Sequence, residues 1–290
     1  MIRLSWVVFL HAALLSVESI VIELLATQLS LAPLVVAGNS ILIAGAALLA
    51  VAAGTEGKRI FMIIRSWKYL LPASSLLAVG VYAWYDSVTS VGASKEGLLA
   101  GPLETVVILV LAGAVLKEKL TRPQMIGVLT ALGGFFATVM SAGSVQTLIT
   151  WGDIEAMISA VSFAAGIIII TVLTRTYSVL LVTGSTLFIS GLVLAAALWT
   201  TAPTTGPADW VFLLAFSILP LSAALTYVMG LRRIGASMTS TIGSFSILLT
   251  VIFQIAMLGM GINVILPSNI TLAIAGGVLG VFGIYLIHRK

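Results

Sequence analysis

The sequence predicts an all-α membrane protein: ten transmembrane helices arranged as two inverted five-helix repeats, with both termini in the cytoplasm. Three observations carry the prediction. They are the composition, the spacing of apolar runs against the placement of cations, and a likeness between the two halves. Of 290 residues, 60% are hydrophobic and 8% charged, against roughly 25% charged in soluble domains. No globular core absorbs that much apolar surface, so lipid must solvate most of the chain. Cysteine is absent, which excludes disulfides, zinc–thiolate sites and iron–sulfur clusters. The two histidines, His11 and His288, are too few for a histidine metal site. No metal or cofactor is expected, and no enzyme, since a nucleophile–base pair and clustered aspartates are also missing.

A spanning helix needs ~20 mostly apolar residues. Polar or proline-bearing breaks leave ten such runs: 4–27, 33–53, 68–90, 94–115, 123–141, 152–173, 178–199, 209–230, 236–258 and 269–287. The first run is too long for a signal peptide and no small-residue cleavage site follows it, so it reads as a retained span. The longer interruptions are 54–68, 200–208 and 259–268, the first long enough for an interfacial turn. With the N-terminus inside, the cytoplasmic cations are Arg3, Lys58, Arg59, Arg65, Lys68, Lys117, Lys119, Arg122, Arg175, Arg232, Arg233, Arg289 and Lys290. These are all of the fourteen basic residues except Lys95. The positive-inside rule thus places both termini in the cytoplasm. It also accounts for the net charge of +4 with no nucleic-acid partner.

The halves, 1–145 and 146–290, resemble each other. "TSVGASKEGLLAGP" (89–102) aligns with "RRIGASMTSTIGSF" (232–245), sharing Gly-Ala-Ser at the head of a span. "GVLTALGGFF" (127–136) aligns with "GGVLGVFGIY" (276–285), and "AALLSVES" (12–19) more weakly with "AMISAVSF" (156–163). Gly127 and Gly134 share a helix face, as do Gly276 and Gly283, and such small residues let helices approach closely. Five spans per unit insert the second unit upside down, an arrangement characteristic of carriers that alternate access around a central site.

The stretch 96–134 carries Pro102 inside a helix, then Glu118-Lys119-Leu120-Thr121, then Gln124 and Gly127. In that order these motifs resemble the drug/metabolite transporter superfamily, EamA-type branch, and 31–49 resembles its second helix. The resemblance covers the whole chain and implies the same ten-helix inverted fold in the cell membrane. It implies a secondary transporter of small molecules, with substrates in the family ranging over amino acids, drugs, nucleotide sugars and other metabolites. The family's frequent second-helix arginine falls near Asn39 or Ser40 here, and the second half lacks the Glu-Lys-Leu-Thr turn.

The membrane-embedded acid candidates are Glu18, Glu23, Asp86 and Glu104. An intramembrane carboxyl costs ~2.5–3.5 kcal/mol on insertion scales and marks a functional site by default. On a helical wheel at ~100° per residue, Glu23 falls in a polar stripe with Ser16, Ser19, Thr27 and Ser30, while Glu18 shares another face with His11. The stripe is expected to line the central path, and Glu18 to face a neighbouring helix. "IELLATQLS" (22–30) also resembles the first helix of small multidrug resistance proteins, which makes Glu23 the counterpart of their proton- and cation-binding glutamate. A protonated Glu23 hydrogen-bonded between helices is the other reading. Tyr82, Asp86 and Thr89 share one face, either as a gate or as an interfacial aromatic belt. Glu96, Ala100 and Glu104 share a face beside Pro102, whose missing N–H frees a carbonyl. Lys95 and Glu96 read as a solvated boundary pair. The second half offers Ser162 and Tyr227, and a stripe of Ser237, Ser240 and Ser244, with hydroxyls able to orient a ligand or to bond their own helix backbone. Asp153 and Asp209 read as helix N-terminal caps, and Glu118 as a structural group.

An acidic cavity suits a small cationic or zwitterionic metabolite or drug. Protons compete with cations for carboxyl groups, so Glu23 and Glu104 are candidates for proton coupling. Export is the direction the resemblance implies. A uniporter of neutral metabolites remains open, with an intramembrane enzyme or channel behind it. The expected partners are the substrate, the lipid bilayer and protons, and the expected state is a monomer or weak dimer.

Overall fold

The computed structural model describes residues 2–119, 121–140, 150–201, 206–264 and 269–288. Leu120, Arg289, Lys290, the 145/146 division and parts of the 200–208 and 259–268 connections lie outside these. All regular structure among the described residues is helical. The first part of the chain forms α1 (Ile2–Leu29), α2 (Pro33–Glu56), α3 (Trp67–Val91), α4 (Ala93–Leu111) and α5 (Arg122–Val139). The rest forms α6 (Trp151–Thr174), α7 (Val179–Thr201), α8 (Pro207–Phe216), α9 (Ile218–Ile234), α10 (Ala236–Gly243), α11 (Ser246–Gly259) and α12 (Ile270–His288). A tight 3-10 run, Gly57–Ser66, fills the interruption between α2 and α3, and a π turn, Ala112–Leu116, ends α4.

The breaks have local causes. Pro33 takes the first position of α2, where its missing N–H costs nothing. Pro220 cannot donate to the Phe216 carbonyl four residues back, and the chain divides there into α8 and α9. The serine-rich span divides at Ser244–Phe245, where Phe245 N–H bonds Ile242 O and Ile247 N–H bonds Ser244 O. Gly92 (φ 87°) and Gly235 (φ 83°) precede α4 and α10, in a left-handed backbone that only glycine adopts cheaply. These are the two Gly-Ala-Ser positions. Asp153 and Asp209 sit one turn inside their helices. Each accepts from a backbone N–H just ahead of its helix, Thr150 at 2.9 Å and Gly206 at 2.7 Å.

Seven helical stretches among the described residues are long and apolar enough to cross a membrane. Large apolar side chains such as Val110, Leu129, Val211, Ile218 and Val278 are each more than 60% exposed. A face of this size in water would drive aggregation, so it faces lipid. The protein is a multi-pass membrane protein.

The closest helix pairs are α5 with α12, α2 with α7, and α3 with α6. Each takes one helix from either half, so neither half packs as a bundle of its own. Glycines set the α5–α12 distance: a Cβ on Gly134 would lie 2.3 Å from Gly280 N, and one on Gly283 2.3 Å from Ala131 N. The two backbones are therefore in direct contact.

Candidate functional site

A cavity of about 190 Å³ lies between the halves, the size that holds one small organic molecule. Its walls come from α1, α2, α3, α4, α6, α7, α9, α10 and α11, and are mainly apolar, with Trp84, Phe163, Ile167 and Ile247 among them. Three carboxyl groups line it, Glu18, Glu96 and Glu104, together with His11, Tyr227 and a scatter of hydroxyls that includes Ser240 and Ser244. Among the described residues no lysine or arginine does.

The three carboxyls are held differently. Glu18, 2% exposed, accepts a 2.7 Å hydrogen bond from the fully buried Tyr85 hydroxyl. Glu96, 4% exposed, has the indole N–H of Trp84 beside it. Glu104 has no hydrogen bond within the described residues. It is only half-shielded because it borders the cavity. Tyr227 Oη is buried, has the Ser240 hydroxyl beside it without a well-formed hydrogen bond among the described residues, and stands within electrostatic reach of Glu104. The His11 ring packs on Tyr227 with centroids 4.6 Å apart. His11 Nδ1 lies 2.9 Å from Ala223 O; because that carbonyl can only accept, Nδ1 carries a proton and donates it. Behind Ser240 and Ser244, Thr105 Oγ1 lies 2.7 Å from Ser244 Oγ and accepts from Ser240 Oγ at 3.2 Å.

Of the residues singled out by the sequence, the structure brings Glu18, Glu104, Tyr227, Ser240 and Ser244 to the cavity. It does not bring Glu23, Asn39, Tyr82, Asp86 or Ser162 there. On α1 the row with His11 and Glu18 faces the cavity, and of the stripe expected there only Ser19 reaches it among the described residues. Glu23 is buried between helices, where its Oε2 accepts from Ala93 N–H at 2.9 Å and from Gln254 Nε2 at 3.0 Å. Its stripe bonds mostly to backbone: Ser16 donates to Ala12 O and Ser246 O, Ser19 to Leu15 O, and Thr27 to Glu23 O. Asn39 donates to Val35 O on its own helix. Tyr82, 38% exposed, reaches Asp86 at 3.4 Å away from the cavity. Glu96 is no solvated boundary group, and Lys95 pairs instead with Asp153 at 2.7 Å.

Two segments of the chain, residues 4–140 and 150–288, match the EamA-like transporter family. The chain belongs to the EamA-like transporter family. One curated relative, "Uncharacterized transporter YetK" of Bacillus subtilis (strain 168), is 33% identical over 78 residues, 27% of this chain and 23% of the relative's length. The chain thus matches under a quarter of that relative. A protein of known crystal structure superposes with a TM-score of 0.74 over 98% of this chain and 97% of its own, at 17% identity, which establishes the fold and no more.

In this transporter the cavity residues that sequence reasoning missed are Glu96 and His11. Both carried a signal. Glu96 shares the i, i+4, i+8 face with Ala100 and Glu104, and all three line the cavity. His11 shares the wheel face of Glu18. What the sequence did not contain was which face of α1 meets the cavity, because α1 is enclosed by protein at both glutamates, each 2% exposed.

Proposed function

We propose that this transporter carries a small cationic or zwitterionic solute out of the cell by alternating access, with proton exchange at Glu104. The proposed topology is ten crossings of the cytoplasmic membrane, as repeats 1–145 and 146–290 with both termini inside. The observation that carries the reading is Glu104: a carboxyl at a mainly apolar cavity with no hydrogen bond among the described residues, close to the buried hydroxyl of Tyr227. Polar groups shielded from water are almost always satisfied, and an ammonium group or a proton would supply the partner that Glu104 lacks. The lack of any lysine or arginine among the described lining residues argues against phosphorylated anions. The cavity lies within one chain, so a monomer suffices for transport. Glu23, whose Oε2 accepts from both Ala93 on α4 and Gln254 on α11, is assigned to the framework and not to coupling. The bonds that hold Glu18 and Glu96 favour a second reading, facilitated diffusion of a neutral metabolite.

Purified protein in liposomes, loaded with unlabelled amine or amino acid, should show saturable counterflow of the labelled compound. Its absence for every amine and amino acid tested overturns the reading. Counterflow that persists unchanged in Glu104→Gln favours the neutral uniporter.

A further inference from the structure

Two other acids hold the ends of the cavity-lining helices. α4 and the α10–α11 pair lie side by side and antiparallel: Ser94 meets Gln254, while Thr105 meets Ser244 and Ser240. Their N-termini therefore lie at opposite ends of the pair, separated by about the length of α4, roughly 27 Å. Both begin with Ala-Ser after a glycine in the same left-handed conformation, Gly92 and Gly235. Each first turn exposes orphan N–H groups, and in each a glutamate takes them. At one end Glu23 accepts from Ala93 N–H at 2.9 Å and from Gln254 Nε2 at 3.0 Å, and Gln254 accepts from Ser94. At the other, Glu118 accepts from Ala236 N–H at 2.9 Å, Ser237 N–H at 3.1 Å and Ser237 Oγ at 2.7 Å.

We infer that Glu23 and Glu118 are paired latches, one at each mouth of the cavity, and that solute passage requires their release in alternation. The two cap the same backbone motif but come from non-equivalent elements. Glu23 projects from the last two turns of α1 and ties α1, α4 and α11 together while 2% exposed. Glu118 belongs to the connection after α4, beside Lys117 in a left-handed conformation (φ 57°), and is half-exposed. The Glu23 latch joins three helices across both halves of the chain. The Glu118 latch joins one connection to one helix end and is the more readily released. The inference is independent of the solute's identity, and its test uses no solute.

The chain lacks cysteine, so Ala100→Cys places a single thiol on the cavity face of α4. Membrane-impermeant maleimide is applied separately to each side of sealed vesicles. In that background Glu23→Gln should raise the labelling rate by roughly tenfold from one side only, the scale of losing one charge-assisted hydrogen bond. Glu118→Gln should raise it from the opposite side only. Gln254→Leu, which leaves Glu23 and the α4 terminus intact, should act on the same side as Glu23→Gln and guards against misfolding of the first variant. A disulfide between cysteines placed at Ser94 and Gln254 should suppress labelling from that side until reduced. Increases of equal size from both sides, increases from the same side for Glu23 and Glu118, or no increase in any variant would each overturn the inference.

Discussion

Replacing Glu18 and Glu104 separately by leucine should affect stability and transport in opposite ways. In Glu18→Leu the fully buried Tyr85 hydroxyl loses its 2.7 Å acceptor. Stranding a buried donor costs about 1–3 kcal/mol, which corresponds to a fall in melting temperature of about 2–4 °C per kcal/mol for a chain of this order. In Glu104→Leu no internal hydrogen bond is lost, and a polar group leaves an apolar cavity wall, so stability should hold or rise. Affinity should behave the other way for Glu104. Losing a charge-assisted bond to an ammonium group costs about 1.5–3 kcal/mol, which raises the counterflow KM by roughly 10–150-fold. Thermal unfolding of the two detergent-purified variants, together with counterflow KM, measures both arms. A fall in the melting temperature of Glu104→Leu as large as that of Glu18→Leu would refute the premise that Glu104 is unpaired. An unchanged KM in Glu104→Leu would refute its role in binding.

Two further substitutions test the framework. A Cβ on Gly45 would lie 2.2 Å from Phe188 N and 2.5 Å from its Cα, so Gly45→Ala must push α2 from α7 and should cost about 1–3 kcal/mol by thermal unfolding. Gly54, with nothing within 4 Å, is the control: Gly54→Ala should be neutral or stabilising by about 0.5–1 kcal/mol. Asp153→Ala removes both the capping interaction with Thr150 and the 2.7 Å contact to Lys95. It should lower stability by about 1 kcal/mol and raise hydrogen exchange in the first turn of α6 alone.

The helices were legible because long apolar runs and the glycines and prolines between them are local signals. Pro33, Gly92 and Gly235 mark helix starts in the sequence, and the structure begins α2, α4 and α10 beside them. Breaks within a span were less visible: Pro220 lies inside an unbroken apolar run, and only its missing N–H explains the α8–α9 division. The α4 face with Glu96, Ala100 and Glu104 was legible because one helix carries it. The roles of Glu18 and Glu23 were not. A helical wheel groups residues on one helix but contains nothing about what packs against each face. Gln254, 231 residues away from Glu23, decides which glutamate is tied into the framework.

The acids also show how far the repeat has diverged. All three cavity carboxyls come from the first half. In the register that pairs Thr89 with Arg232, an offset of 143 residues, Glu96 corresponds to Thr239, Glu104 to Ile247 and Trp84 to Tyr227. Ile247 lines the same cavity as Glu104, so the repeat offers a second place for the acid. The neighbourhoods differ, however. Ile247 packs on α4, where a Cβ on Gly101 would meet its Cδ1 at 2.5 Å, and clusters with Leu98 and Ala131. If the repeat's backbone symmetry alone created the site, exchanging the residues in Glu104→Ile/Ile247→Glu would restore counterflow that Glu104→Ile abolishes. If the site depends on Tyr227 beside Glu104 and on His11 packed against Tyr227, the exchange should leave transport lost. It should also destabilise the protein, because a carboxyl at 247 sits against apolar side chains with its burial uncompensated. Recovery of counterflow in the double variant would refute the dependence on Tyr227 and His11, and with it the assignment of Glu104 as the cavity's ligand-holding acid.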